Sequence, residues 1–180
     1  MEWLHEPAEW NLEGTDLSVR TEAGTDFWRV TGDVAGAIRD NGHVYGEKLE
    51  GDFDLSVQVS GTFAGQYDQA GVMVRLDDRH WFKTGVEYFD EKLRFATVVT
   101  SDYSNWFFAD LPDDFDFLNL ILRHRGDAVE VLRSVNDEPP EFAVHLYLPP
   151  DKAAFAGVMC AAPLGEGFDA IFRNFAINRI

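Results

Sequence analysis

The sequence predicts an all-β fold, a sandwich of two packed antiparallel sheets. Three observations carry this prediction. No segment keeps apolar residues at i, i+3, i+4 and i+7 over the length of a helix. Short alternating or apolar stretches recur instead, separated by Gly, Asp, Asn and Pro. The separators also have turn chemistry: Phe89-Asp90-Glu91-Lys92 reads as a short acidic turn and Arg125-Gly126-Asp127 as a tight hairpin.

Taken in chain order, Asn41-Gly42 is the strongest two-residue hairpin signal, so a hairpin is expected there. Residues 54–60 alternate, with Leu55, Val57 and Val59 on one face. Ala70, Val72 and Val74 do the same against Gly71, Met73 and Arg75. Over residues 81–88 one face carries Phe82, Thr84, Val86 and Tyr88, and the other Trp81, Lys83, Gly85 and Glu87. Further strands are expected at 93–100, 117–124, 128–134, 142–146, 155–160 and 168–177. Pro139-Pro140 and Pro149-Pro150 punctuate loops, and a short helical turn at 151–154 is expected after the second pair. No repeat, low-complexity tract or long linker divides the chain, so residues 1–180 are expected to form a single domain.

Composition narrows the functional classes. A chain of 180 residues, 46% apolar, can bury a substantial core without disulfides. Its 15 Lys+Arg against 32 Asp+Glu give a net charge of −17, a field that repels nucleic-acid backbones and anionic lipid, so neither is an expected partner. The lone Cys160 lies in the small, apolar run Ala156–Ala162, which reads as a buried thiol rather than a nucleophile. The start Met1-Glu2-Trp3-Leu4-His5-Glu6 has no basic or apolar leader character, and no apolar run reaches the length of a bilayer, so a soluble, cytoplasmic protein is expected. Five scattered His lack metal-ligand spacing, and no nucleophile elbow, phosphate loop or dinucleotide fingerprint occurs. No cofactor or metal is therefore expected.

The unusual side chains concentrate between residues 61 and 106. Gln66-Tyr67-Asp68-Gln69 places four polar groups at the mouth of a strand, and Trp81, Lys83 and Glu87 share a strand face with Gly85. At about 3.3 Å per residue, Lys83 and Glu87 stand about 13 Å apart, too far for a direct ion pair without a bulge. An indole beside a charged donor and a charged acceptor suits a polyhydroxylated ring. The plain alternative is a solvated strand of mixed charge. Asp40-Asn41-Gly42-His43 and Thr100-Ser101-Asp102-Tyr103-Ser104-Asn105-Trp106 are the polar clusters that would border such a surface, although turns are built from the same residues. Thr25-Asp26-Phe27-Trp28-Arg29 adds another aromatic with charged neighbours.

Five ordered motifs carry a resemblance over nearly the whole chain: Thr25–Arg29, Asp40–His43, Gln66–Arg75, Trp81–Tyr88 and Val98–Ser104. Together they resemble a family of domains of unknown function with the concanavalin A-like lectin/glucanase fold, some fungal members of which are described as regulators of enolase. The resemblance implies a jelly-roll sandwich with one curved sheet whose concave face is open to ligand, and no established reaction. It groups Tyr67, Asp68, Gln69, Lys83, Glu87, Thr100 and Asp102 into one site, with Asp40, His43, Trp81 and Trp106 as its border and platform.

The expected function is a non-catalytic domain that binds a small carbohydrate or polyol on that face. The alternatives are a protein-interaction module regulating a metabolic enzyme, which requires an exposed apolar patch, and a glycoside-active enzyme. The last would use Glu87 with Asp68 or Asp102, and requires the two carboxyls within about 10 Å.

Overall fold

The computed structural model describes residues 1–32 and 37–180. In chain order the strands are β1 (Glu2–Leu4), β2 (Glu9–Glu13), β3 (Asp16–Arg20), β4 (Phe27–Arg29), β5 (Ile38–Asp40), β6 (His43–Leu49), β7 (Phe53–Gly61) and β8 (Gln69–Arg75). They continue as β9 (His80–Phe89), β10 (Lys92–Ser101), β11 (Tyr103–Asp110), β12 (Leu118–Arg125), β13 (Ala128–Val135), β14 (Glu141–Tyr147), β15 (Ala154–Ala161) and β16 (Asp169–Arg179). No helix occurs among the described residues.

Two seven-stranded antiparallel sheets form the predicted concanavalin A-like jelly-roll sandwich. The front sheet has the order β1-β6-β15-β8-β9-β10-β11, and the back sheet β14-β13-β12-β7-β16-β3-β2. Their inner faces supply one core: Val72, Val74, Phe82, Val86, Ala156 and Val158 in front, and Leu55, Val57, Leu118, Leu120, Val131 and Phe172 behind. They are less than a tenth exposed, and Leu55, Val57, Val72, Val74, Phe82 and Val86 among them lie on the faces that two-residue alternation set apart. Cys160 belongs to this core and is 1% exposed, as expected of a packed thiol.

The outer face of the front sheet is covered in part. After β3 the chain leaves the back sheet, forms the two-stranded β4–β5 ribbon over the front sheet and joins that sheet at β6. Phe27 of this excursion seats on Met73, Trp81, Val98 and Met159 to make a second, smaller apolar cluster. Asn41-Gly42 is accordingly not a hairpin, because β5 pairs with β4 whereas β6 pairs with β1 and β15. The amides of Asn41 and Gly42 both donate to the Asp26 carbonyl, and a Cβ on Gly42 would meet the Phe27 ring at 2.4 Å. The pair is there to let an aromatic ring approach a crossover. Nor is 151–154 helical: the Lys152 amide bonds the Pro149 carbonyl in a turn, and β15 has begun by Ala154.

At the centre of the front sheet Gly71 of β8 opposes Gly85 of β9, and Gly157 of β15 opposes Gly46 of β6. A Cβ at Gly71 would stand 2.1 Å from the Thr84 carbonyl oxygen, and one at Gly85 2.2 Å from that of Ala70. Only glycine lets the two backbones come this close.

Candidate functional site

The face bearing Trp81, Lys83 and Glu87 points outward from the core, as the alternation required. It is covered, however, and not solvated: Trp81 is 4%, Lys83 5% and Glu87 8% exposed. The excursion through β4 provides the cover and also the partners. The Lys83 ammonium donates to the Phe27 carbonyl at 2.7 Å, the Gln69 Oε1 at 2.5 Å and the Asp26 Oδ1 at 3.4 Å. An ammonium has three protons, so these acceptors saturate it. Gln69 is equally committed, since its amide nitrogen donates to Asp26 Oδ1 and to the Tyr67 carbonyl. Asp26 Oδ1 also accepts from the Phe27 amide at 2.8 Å, and its other oxygen lies 3.8 Å from the Arg39 guanidinium. Lys83 and Asp26 thus rivet the excursion onto the sheet with their charges paired, which is how a buried ammonium becomes tolerable.

Glu87 lies two strand positions beyond Gly85. One carboxyl oxygen accepts from the Trp106 indole at 2.8 Å, and the carboxyl lines the cleft. Burial pushes its pKa up from 4.5 to about 7, against the pull of Lys83 and the Trp106 bond; Asp26 adds to the rise and Arg94 opposes it. Above this carboxyl opens a cleft of about 360 Å³. Its walls are Trp106 and Tyr67, whose rings meet edge to face at 6.1 Å, with Trp28 and Leu164 as further apolar lining. Tyr67 holds a left-handed backbone (φ 69°), fixed by its amide donating to the Tyr88 carbonyl. The volume and lining suit a ring-sized ligand held by a few polar groups.

The structure brings Tyr67, Gln69, Lys83, Glu87 and Trp106 together in this cleft. It places the other sequence candidates elsewhere. Trp81 packs edge to face under Phe27 in the small apolar cluster. Asp40 forms a two-pronged ion pair with Arg75 at 2.5 and 2.8 Å. His43 is held by the His5 carbonyl and the Glu22 amide, anchoring the excursion. Asp68 accepts from the amides of Ala64 and Gly65, ordering its own loop. Thr100 bonds Ser104, whose hydroxyl accepts from the Arg29 amide, and Asp102 pairs with exposed Arg79. Neither Asp68 nor Asp102 lines the cleft with Glu87.

Asp26 and Trp28 line the cleft but were absent from the expected site. Their signal was the aromatic–charged motif at 25–29, but nothing local placed it over β9, more than fifty residues away. Leu164 and Arg39 carried no such signal. Among the described residues no group of three or more His, Cys, Asp or Glu is placed to hold a metal ion, and no helix is long and apolar enough to cross a membrane.

Comparison with known proteins sets this geometry in context. Residues 3–180 match the family described as protein of unknown function, DUF1349. Over 104 residues the chain is 39% identical to Regulation of enolase protein 1 of Saccharomyces cerevisiae, covering 58% of this chain and 52% of that protein. An uncharacterized protein of Emericella nidulans is 27% identical over 128 residues, 67% of this chain and 64% of that one. The chain thus spans about half to two-thirds of the length of these curated relatives. A functionally unknown protein from Saccharomyces cerevisiae superposes with a TM-score of 0.91 at 28% identity, over 99% of this chain and 96% of that chain. A GH43 protein of Bacillus licheniformis gives 0.70 at 15% identity over 96% of this chain and 35% of that chain. A xylan β-1,4-xylosidase of Bacillus halodurans gives 0.68 at 11% over 91% and 33%. The last two share the fold alone.

Proposed function

The chain belongs to the DUF1349 family, and from that premise we propose that residues 1–180 form a non-catalytic binding domain that holds a small carbohydrate or polyol in the cleft above Glu87. One observation carries the reading: the Glu87 carboxyl, one oxygen held by the Trp106 indole, lines an open cleft walled by two indoles and a phenol. Flat rings stack on the apolar faces of sugars, and a carboxyl that titrates near neutrality accepts from a hydroxyl or donates to one. The platform of the reading is Trp106, with Trp28 also lining the cleft, rather than the buried Trp81.

Hydrolysis is a poorer fit. Two-carboxylate chemistry needs a second free carboxyl facing the ligand. Among the described residues Asp26 is the other carboxylate lining the cleft, and Lys83, Gln69 and the Phe27 amide already occupy its Oδ1. The GH43 and xylosidase neighbours bring sugars to mind through their fold, which is a weaker support than the cleft itself.

The test is calorimetric titration after a screen of glycans and polyols. Trp106→Ala is expected to weaken any hit by about 1–3 kcal/mol through lost stacking, with the fold intact by circular dichroism. Glu87→Gln should weaken it by about 1.5–3 kcal/mol through lost charge-assisted bonds. Equal affinities across the series would place the ligand elsewhere.

A second reading, a protein-interaction module, has its own observations. One relative carries the name Regulation of enolase protein 1, and large aromatics stand exposed along one side of the sandwich, including Phe107 at 61% and Tyr147 at 71%. Pull-down against purified enolase is the direct test, with loss of capture expected on Phe107→Lys.

A further inference from the structure

The front sheet ends at β11, and we propose that this edge pairs with β11 of a second copy of the chain, joining two front sheets about a two-fold axis at Phe107. The four outer edges of the sandwich are β1, β2, β11 and β14. Soluble proteins protect such edges with shortness, charge, proline or bulges. β1 has three residues, β2 has five and carries Glu9 and Glu13, and β14 carries Glu141 and His145 and meets β13 with a register shift. β11 has none of these protections. It runs eight residues in unbroken register with β10, without proline or Lys/Arg, and its one charge is the last residue, Asp110.

The strand is also complementary to itself. Side chains alternate with period two, so a two-fold axis normal to the sheet keeps faces matched only in alternate registers. Centred on Phe107, Phe107 opposes itself, Trp106 opposes Phe108, Asn105 opposes Ala109 and Ser104 opposes Asp110. Centred on Trp106, Asp110 would oppose Asp102, which like charges disfavour. Centred on Phe108, Asp110 would oppose Trp106. Of the three, the Phe107 register is the one that sets Trp106, Phe107 and Phe108 all against aromatic rings, with no charge against a like charge.

Charge and area both favour a second copy as the occupant. Each chain carries −17, but close to this edge Asp110 is held by Arg94 and Lys92, and Glu141 by Arg133. On β11 and β14 these acids are therefore compensated, and salt screens the exposed Asp113, Asp114 and Asp116 that follow β11 from charges beyond about 8 Å. A basic partner would find no uncompensated acid in these pairs. Tyr103, Phe107 and Phe108, with Phe142 and Tyr147 on β14, are each at least half exposed. At roughly 200 Å² per ring residue they offer about 600 Å² per copy. Backbone and smaller side chains raise this toward the ~800 Å² per partner of stable interfaces. Between β11 and β14 an apolar groove of about 370 Å³, lined by Phe95, Val99, Val144 and Leu146, lies under Phe107 and would be closed by the paired rings.

Sedimentation of the full chain across a broad concentration series tests the proposal. The expected species is twice 20.4 kDa, and Phe107→Lys, with two ammoniums on the axis, should weaken association at least about a hundredfold while keeping the β-sheet spectrum. Phe107→Cys should form a covalent dimer on mild oxidation, because on-axis thiols meet, whereas Leu12→Cys on β2 should not. Wild type that stays at 20.4 kDa throughout, or that grows into open polymers, overturns the proposal. So does a dimer untouched by Phe107→Lys, or equal cross-linking from position 12. A monomer that instead takes up an extended segment of another protein would assign the edge to that partner and refute the second copy.

Discussion

Replacing Glu87 by Gln should change how the stability of the protein responds to pH. In the unfolded chain the carboxyl titrates at its ordinary 4.5, and in the fold at about 7, chiefly because burial disfavours its charge. Below pH 4.5 the proton is bound in both states and the shift costs nothing. Between 4.5 and 7 the unfolded chain releases the proton while the fold keeps it, so stability falls as pH rises. Above 7 both states are ionised and the full penalty applies. A difference of about 2.5 at 1.36 kcal/mol per pH unit amounts to about 3 kcal/mol, an order-of-magnitude figure for a carboxyl this deeply buried. Glutamine cannot titrate, and its carbonyl oxygen can still accept from the Trp106 indole. The variant should therefore gain about 3 kcal/mol on wild type between about pH 4.5 and pH 8, on top of any constant offset. Urea unfolding followed by tryptophan fluorescence, at matched ionic strength and with unchanged slope in urea, measures that gap. A gap that stays constant with pH, or that widens toward acid, refutes the burial argument for Glu87.

Two other expectations follow from the same packing. Lys83→Met should destabilise the protein in urea unfolding by up to about 3 kcal/mol, because it takes the buried cation from Asp26 and leaves it only the half-exposed Arg39 guanidinium at 3.8 Å. Adding Asp26→Asn should recover part of that loss, and failure to recover would mean the pair is not what holds the excursion down. Cys160 is buried, and burial alone pushes its thiol well above the usual thiol range, so a thiol reagent should label it slowly in the native protein and rapidly in urea. Rapid native labelling would contradict its place in the core.

The strands that sequence made legible are those whose two faces differ in side-chain type. β7 and β12 alternate because one side packs against the opposite sheet while the other is partly exposed; β8 and β9 show the same period in side-chain type although both of their faces are buried. β2 is exposed along its whole length, and β4 and β5 are three residues each, so no alternation accumulates to be seen. β11 was hidden differently: Ser104 and Asn105 sit between its aromatics, and Phe107 and Phe108 are exposed on both faces, so it read as a polar turn. For the site, period two correctly put Lys83 and Glu87 on the face away from Phe82 and Val86. What it could not supply was the cover, since Asp26 and Phe27 reach them across the sheet through a crossover whose only local mark, Asn41-Gly42, imitates a hairpin. Burial of a charged face is a property of two distant segments, and a single strand does not encode it.

The facing glycines of the front sheet bear on any attempt to refit the cleft to a new ligand. Between Lys83 and Glu87 the surface is main chain, because Gly85 and Gly71 approach too closely to admit even a methyl group. An engineer finds no side chain there to exchange, and a substitution meant to reshape that surface would first push two strands apart. Selectivity is therefore open to redesign only at the rim, where Trp28, Tyr67, Trp106 and Leu164 arrive from four separate stretches of chain. A library that holds positions 46, 71, 85 and 157 constant and randomises those four varies the contents of the cleft while leaving its scaffold alone.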